Sequence, residues 1–301
     1  MSIGNIQKLI KNQVNYPEGK KYAAIIGEAP SKGARSPVLW DAAFDAHKVE
    51  ARMLSFDVDP QNLNALLSEL EDDDYFIGGA IAAPYKAKAA LWLDINITLA
   101  AKAIGAVNCI FRGDNHRLSG INTDGEAALR TYESAFGYVE GQTILMLGCG
   151  GAGRAVASYF KQAVGNQGNL LVSSRSDQAC SFVHTLGANW TNWNEIEKVL
   201  PSIDGLINCT ILGSETCVNQ TPLGKKQINK LSPKTVVFDI IYHPSPTKFL
   251  RAVAEQGCRI LNGTEMNIIQ AVLGYEYVLP STHNLNLTRN AMELVKQRKF
   301  D

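Results

Sequence analysis

The sequence predicts an α/β protein of two domains, and three features carry that expectation. Short apolar runs alternate with longer amphipathic stretches along most of the chain, the pattern of strands and helices taken in turn. One apolar run, residues 143–147 (TILML), passes directly into a glycine-rich segment, Gly148-Cys149-Gly150-Gly151-Ala152-Gly153. The length, 301 residues, suits two domains of roughly 150 residues each.

Residues 22–27 (YAAIIG) read as a buried strand, ended by a loop over 28–37 rich in Gly, Pro and Ser. A helix is expected over 37–51, because Pro suits a first helical turn and Val38, Ala42, Ala43, Ala46 and Val49 share a face. A strand follows at 53–58, then an amphipathic helix over 61–70 with Leu63, Leu66, Leu67 and Leu70 at helical spacing. Residues 76–83 are strand-like, and Pro84-Tyr85-Lys86 turns out of them into a helix rich in Ala, Lys and Leu. The acidic stretch 71–74 reads as a solvated turn, and 105–112 as another strand. Thr123 and Asp124 suit the cap of a helix over 124–136. Beyond 143–147, strands are expected at 169–173, 205–209 and 235–240, and closing helices at 264–279 and 287–299. A linker falls near 120–124, with a return crossing near Gly263.

The chain is 46% hydrophobic and 19% charged, with 29 Lys plus Arg against 29 Asp plus Glu. That hydrophobicity supplies packed cores and excludes a disordered chain. A balanced charge offers nothing to nucleic acid or an anionic membrane, partners normally met by a basic excess. No run reaches the ~20 apolar residues of a membrane span. Residues 1–22 are polar, with Lys8, Lys11, Lys20 and Lys21, and no signal peptide is expected there. The six cysteines contain no Cys-x-x-Cys pair, and the five histidines are scattered without ligand spacing, so no metal is expected. The expectation is a cytoplasmic protein with reduced thiols, monomeric or homodimeric.

Gly148, Gly150 and Gly153 match G-x-G-x-x-G. The three letters alone would fit any glycine-rich turn. Their place between an expected strand and an expected helix gives each glycine a mechanical role. Gly148 permits a tight turn, Gly150 leaves room for a pyrophosphate, and Gly153 allows close helix–strand packing. The first turn of the helix, with Gly151 and Ala152, then offers N–H groups and a positive dipole end to phosphates. The next strand ends in Ser174-Arg175-Ser176, where a guanidinium flanked by hydroxyls suits the 2′-phosphate of NADP better than the free ribose of NAD. Asp177 follows closely and would soften that preference, and Arg175 also fits a solvated surface position. Lys86 at a strand end suits a general acid or base, and equally an exposed helix start. Asp124 suits a second catalytic group, and equally a helix cap.

Several further segments, in order along the chain, resemble the shikimate dehydrogenase family. Its Pro-Tyr-Lys matches Pro84-Tyr85-Lys86, and its Gly-Ala-Val-Asn-Thr matches Gly105 to Asn108 with Cys109 in place of Thr. Gly-x-Asn-Thr-Asp matches Gly120 to Asp124, and Asn-Arg-Thr appears as Ser174-Arg175-Ser176. Asn-Ala-Thr-x-x-Gly appears as Asn208 to Gly213, the strand before the family's Tyr as Asp239 to Tyr242, and Gly-x-x-Met-x-x-x-Gln as Gly263, Met266 and Gln270. The resemblance implies an α/β substrate domain over 1–122 with 264–301, and a Rossmann NADP-binding domain over 123–263. It implies a Lys86–Asp124 dyad that handles the proton while hydride passes to or from the nicotinamide of NADP. It also implies that Ser36, Asn108, Tyr242 and Gln270 bind a small cyclic hydroxy acid, and that Thr210 and Gly263 join the glycine loop and Ser174 to Ser176 around the cofactor.

On the substrate side, three polar residues of the family pattern are alanine here. Its Ser-x-Ser-Pro loop reads Ala34-Arg35-Ser36-Pro37 here, and its Asn-Val-Thr-Ile-Pro reads Ala80-Ile81-Ala82-Ala83-Pro84. A buried polar substrate group left unpaired costs roughly 1–3 kcal/mol, so Ala34 and Ala82 together would weaken shikimate by about two to four orders of magnitude. Arg35 or Lys32 could compensate by holding a carboxylate, although plain surface charge is the simpler reading of both. The departures leave three readings open: a shikimate enzyme, a paralogue for a differently substituted cyclic acid, and an NADPH-binding sensor without turnover.

Overall fold

The computed structural model describes residues 3–17, 19–113, 116–175 and 177–296. Ser176, assigned above to the phosphate motif, lies outside the described residues. The chain divides into two compact units, 1–123 with 268–301 and 124–267.

In the first unit, α1 (Ile3–Leu9) precedes β1 (Lys21–Gly27), α2 (Ser36–Ala46), β2 (Ala51–Asp57), α3 (Leu63–Glu71), β3 (Phe76–Ile81), α4 (Lys86–Leu93), α5 (Leu99–Ile104), β4 (Cys109–Arg112) and β5 (Leu118–Ile121). The sheet order is β2-β1-β3-β4-β5, parallel over the first three strands and antiparallel over the last two pairings. Side chains alternate across β1. Tyr22, Ala24 and Ile26 enter one core with the four leucines of α3, while Ala23 and Ile25 enter another with Trp40 and Phe44 of α2. Both faces are covered, so β1 reads as an unbroken apolar run.

The helix expected over 37–51 stops at Ala46; of the expected face only Ala43 is fully buried, and Leu39, Trp40 and Phe44 join it in place of Val38, Ala42 and Ala46. Burial follows apolar area, and the large side chains take the core. The His47 N–H donates to Ala43 (2.9 Å) and the Val49 N–H to Phe44 (2.8 Å). These bonds close the last turn around Lys48, whose φ of +57° redirects the chain into β2. The acidic turn is not wholly solvated either. Asp73 is buried and accepts from the Tyr22 hydroxyl (2.7 Å) and the Tyr75 N–H (2.9 Å). Arg112 donates to the carbonyls of Leu70, Glu71 and Phe76 around it. Burial, and then the bond to Asp73, raises the Tyr22 phenol far above its usual range and keeps it neutral. The polar N-terminus holds an unexpected helix: its Ile6 enters the α3 core, and Ile10, just beyond the helix, joins that core and bridges to Val58.

In the second unit, α6 (Asp124–Phe136) leads to β6 (Thr143–Leu147), α7 (Gly151–Val164), β7 (Asn169–Ser173), α8 (Cys180–Thr185), β8 (Asn189–Trp190), α9 (Ile196–Val199), β9 (Gly205–Asn208), α10 (Lys225–Ile228), β10 (Val236–Asp239), α11 (Lys248–Glu255) and β11 (Arg259–Leu261). The sheet order is β11-β10-β9-β6-β7-β8, every pairing parallel. This is a Rossmann arrangement, doubly wound about β6. The chain closes with α12 (Thr264–Val278) and α13 (Leu285–Lys296), whose Ile268, Tyr275 and Met292 share the core of Trp40 and Phe44.

Each sheet has one point where its winding reverses: between β1 and β3 in the first, and between β6 and β9 in the second. Loops leaving the carboxyl ends of such strands diverge and open a crevice.

Candidate active site

In the second unit, Gly148 ends β6 with φ +94°, a left-handed value that a side chain would resist. Its N–H donates to Ser173 at 2.7 Å, tying the turn to the end of β7. A methyl group added at Gly153 would collide with the Gly148 carbonyl oxygen, so the helix can approach the strand only here without a side chain. Gly150 differs. Among the described residues nothing stands within 4 Å of a Cβ there, and the residue is exposed at the cap of α7. The fold does not demand this glycine, which fits a backbone kept bare for something outside the chain. Gly151 and Ala152 follow in the first helical turn, where N–H groups lack intrahelical acceptors. Ser174 and the exposed Arg175 follow β7. Together these features fit a dinucleotide with an extra phosphate.

On the other side of β6, Asn208 and Asp239 end β9 and β10 in register, both fully buried. Asn208 donates to Asp239 (3.0 Å) and accepts from the N–H (3.0 Å) and hydroxyl (2.7 Å) of Thr210. Thr210 lies against the glycine turn, 2.9 Å from where a Cβ on Gly148 would stand. Gly263 is buried and donates to Ile241, and the half-buried Tyr242 follows. Burial raises the neighbouring thiols, Cys149 to about 11 and Cys209 well above its usual value, so both are neutral. Asp124, 4% exposed, opens α6.

In the first unit, the Tyr85 hydroxyl donates to Val58 at 2.6 Å, which fixes where α4 begins and leaves Lys86 half-buried at its first residue. The Val107 N–H donates to Lys86 (3.0 Å) and the Ile81 N–H to Asn108 (2.8 Å), placing Asn108 beside the lysine's backbone. Asn108 is buried. Its amide donates to the Thr123 hydroxyl (2.9 Å) and to Gln270 Oε1 (3.3 Å), and its carbonyl accepts from the Thr123 N–H (2.8 Å). The Thr123 hydroxyl donates to the Gln270 backbone (3.1 Å). Lys86, Asn108 and Gln270 are thus stitched together in one unit. Thr123, expected as a helix cap within the Gly120 to Asp124 match, is the link between Asn108 and Gln270.

The loop after β1 carries Ser36, which is buried at the first residue of α2. Asp57, at the end of β2, accepts from the N–H (2.9 Å) and hydroxyl (2.5 Å) of Ser31 and anchors this loop. Lys32 is exposed, but Arg35 is only 5% exposed, and the surface reading fails for it. Ala34, Ala80 and Ala82 pack against the core of Trp40, Ile268 and Val272 and add no polar group there. Sequence reasoning also passed over Arg154, in the second turn of α7, whose guanidinium lies 5.0 Å from the Phe182 ring centroid.

Residues 25–110 match the model of the shikimate dehydrogenase substrate-binding domain. An NADP-dependent shikimate dehydrogenase from Moorella thermoacetica is 33% identical over 266 residues, covering 84% of this chain and 85% of that protein. One from Synechocystis is 29% identical over 283 residues, covering 90% and 94%. Among solved structures, a shikimate dehydrogenase in complex with NADP+ matches at a TM-score of 0.80 and 25% identity, covering 93% of this chain and 97% of that one. Quinate dehydrogenase from Corynebacterium glutamicum, in complex with NAD, matches at 0.77 and 25% identity, covering 91% and 99%. With identity of this degree sustained over both units, the chain belongs to the shikimate dehydrogenase family.

Proposed function

We infer that the protein is an NADP-dependent oxidoreductase that interconverts a cyclic hydroxy acid and its ketone, shikimate and 3-dehydroshikimate or a close analogue. The observation that carries this reading is the bare, φ-positive glycine turn in the same chain as the Lys86–Asn108–Gln270 assembly. NADP, when bound, supplies the nicotinamide carbon that accepts or returns hydride. Lys86 takes the hydroxyl proton during oxidation and gives it back during reduction, with Asp124 as the second member of the dyad. Asn108 and Gln270 hold ring hydroxyls, and Ser36 and Tyr242 the carboxylate end. Gly148 to Gly153, Ser174, Arg175, Ser176, Thr210 and Gly263 hold the cofactor. The same reading places the enzyme in aromatic amino acid biosynthesis, in the cytoplasm.

A second reading, the paralogue with a different cyclic acid, is favoured by the packing of Ala34, Ala80 and Ala82. Their wall gives a ring hydroxyl or carboxylate no hydrogen bond. Initial rates of NADP+ reduction with shikimate, with quinate and without an acid test both readings. Acid-dependent reduction is expected. A protein that binds NADPH yet shows no NADP+ reduction with any cyclic hydroxy acid would be a sensor, and the enzymatic reading would fall.

A further inference from the structure

The Asp239 carboxylate receives three donors: the Asn208 amide (3.0 Å) and the Ile241 N–H (3.1 Å) on Oδ1, and the Thr247 hydroxyl (2.8 Å) on Oδ2. An ionised carboxylate can only accept. Together with the Thr210 N–H on the amide oxygen (3.0 Å) and the Leu212 carbonyl on the amide nitrogen (3.5 Å), it turns Asn208 with its NH2 toward Asp239 and its carbonyl toward Thr210. That carbonyl takes the one proton of the Thr210 hydroxyl, which also accepts from the Leu212 N–H at 3.1 Å. What the hydroxyl has left to offer is a lone pair. Bonds aligned in one direction polarise one another, so a charge at the head of the chain strengthens its far end.

Thr210 is half-buried against the glycine turn. Ser174 and Arg175 follow β7, which assigns the adenosine half of a dinucleotide to that side of the switch point and leaves the β9 side for the nicotinamide half.

We propose that Asp239 is a positioning residue for the nicotinamide half of the cofactor: through Asn208 it fixes the direction of the chain, so that Thr210 meets the ligand as an acceptor and selects a donor, an amide NH2 or a sugar hydroxyl. This rests on the NADP reading above. Burial pushes the Asp239 carboxyl up to about 6, against the pull of its three donors. Protonation then sets a proton among groups that are themselves donors and removes the charge that polarises the chain, while the Thr210 N–H (3.0 Å) and the Leu212 carbonyl (3.5 Å) go on holding the Asn208 amide. The titratable groups beside it are Cys209 and, beyond that, Cys149, with Asp124 bearing on Cys209 from the start of α6. Both thiols stay neutral through this range.

The test is to titrate the wild type, Asp239→Asn and Thr210→Val with NADPH and with adenosine 2′,5′-bisphosphate on either side of pH 6. The bisphosphate carries the same 2′-phosphate, whose own titration near pH ~6 it reports, and lacks the nicotinamide half. At neutral pH each variant is expected to lose NADPH affinity by roughly fivefold, the worth of one hydrogen bond, with bisphosphate affinity unchanged. The NADPH-to-bisphosphate affinity ratio of the wild type falls toward that of the variants below pH 6, and theirs stays flat. A wild-type ratio at all pH values in Asp239→Asn, or one that keeps the wild-type pH dependence, overturns the proposal. Should that variant not fold, Thr210→Val decides: a penalty that vanishes below pH 6 supports the proposal, and one independent of pH overturns it. Failure of the wild type to bind either ligand would remove the NADP reading itself.

Discussion

The two switch points of the molecule are built from different material. At the one between β6 and β9, the surface offered to the proposed ligand is backbone: a left-handed Gly148, an open Gly150 and a helix that closes on its strand at Gly153. At the one between β1 and β3, it is side chains: Lys86, Ser36 and the Asn108–Thr123–Gln270 network, bordered by Ala34, Ala80 and Ala82. A backbone-built site tolerates exchange of the side chains around it and fails when a Cβ intrudes. A side-chain-built site keeps its shape and changes its ligand when one polar group becomes alanine. Alanine at the side-chain site beside an intact glycine turn is the pattern that the paralogue reading, a new substrate at constant cofactor, calls for.

On the cofactor side, the largest effect that would break this contrast lies at Gly153. Gly153→Ala drives a methyl group into a carbonyl oxygen, and overpacking costs about 1–3 kcal/mol before any ligand contact is lost. NADPH affinity is expected to fall ~10- to 100-fold by fluorescence titration, with a lowered melting temperature. Cys149→Ala, in the same turn, should stay within about twofold of the wild type, because it leaves the backbone alone. An equal loss from both would mean that the turn depends on side chains after all. A smaller effect is expected at the exposed Arg175: Arg175→Gln should lower the preference for NADP over NAD by ~10-fold or more, the worth of one charge-assisted bond. Unchanged preference in the ratio of kcat/KM values would make Arg175 a surface charge. Smallest is Ala82→Thr, which sharpens the contrast from the other side. It should raise kcat/KM for shikimate by ~5- to 10-fold and leave NADPH affinity unaltered. A fall in kcat/KM would show that the apolar wall already fits shikimate.

Much of the second unit was legible because its strands are short, apolar and separated by helices. The strands at 143–147 and 169–173 and the glycine turn between them stand where their patterns put them. The Asn208–Asp239 bond was not legible, because it depends on which strands become neighbours, and periodicity along one strand carries no information about sheet order. The same holds for Asp73, drawn out of an acidic turn by a tyrosine on β1, and for Thr123, whose partners come from α12 and the residue just before β4. The buried face of α2 was misplaced for another reason. Two overlapping faces were apolar, and the one holding Trp40 and Phe44 had more area to bury. The lysine at 86 and the carboxylate at 124 acquired a joint role only through the family pattern, since neither spacing nor charge connects residues so far apart in the chain.

The central claim is that Lys86 serves the chemistry while the glycine turn serves the cofactor. The most direct test measures both on one variant, Lys86→Ala: steady-state NADP+ reduction with the best cyclic hydroxy acid, and NADPH affinity by titration. The account predicts a ~10²- to 10⁴-fold fall in kcat, the range expected on removing a general acid–base group, with NADPH affinity within about twofold of the wild type. Turnover that survives the substitution, or a loss confined to NADPH binding, would contradict it.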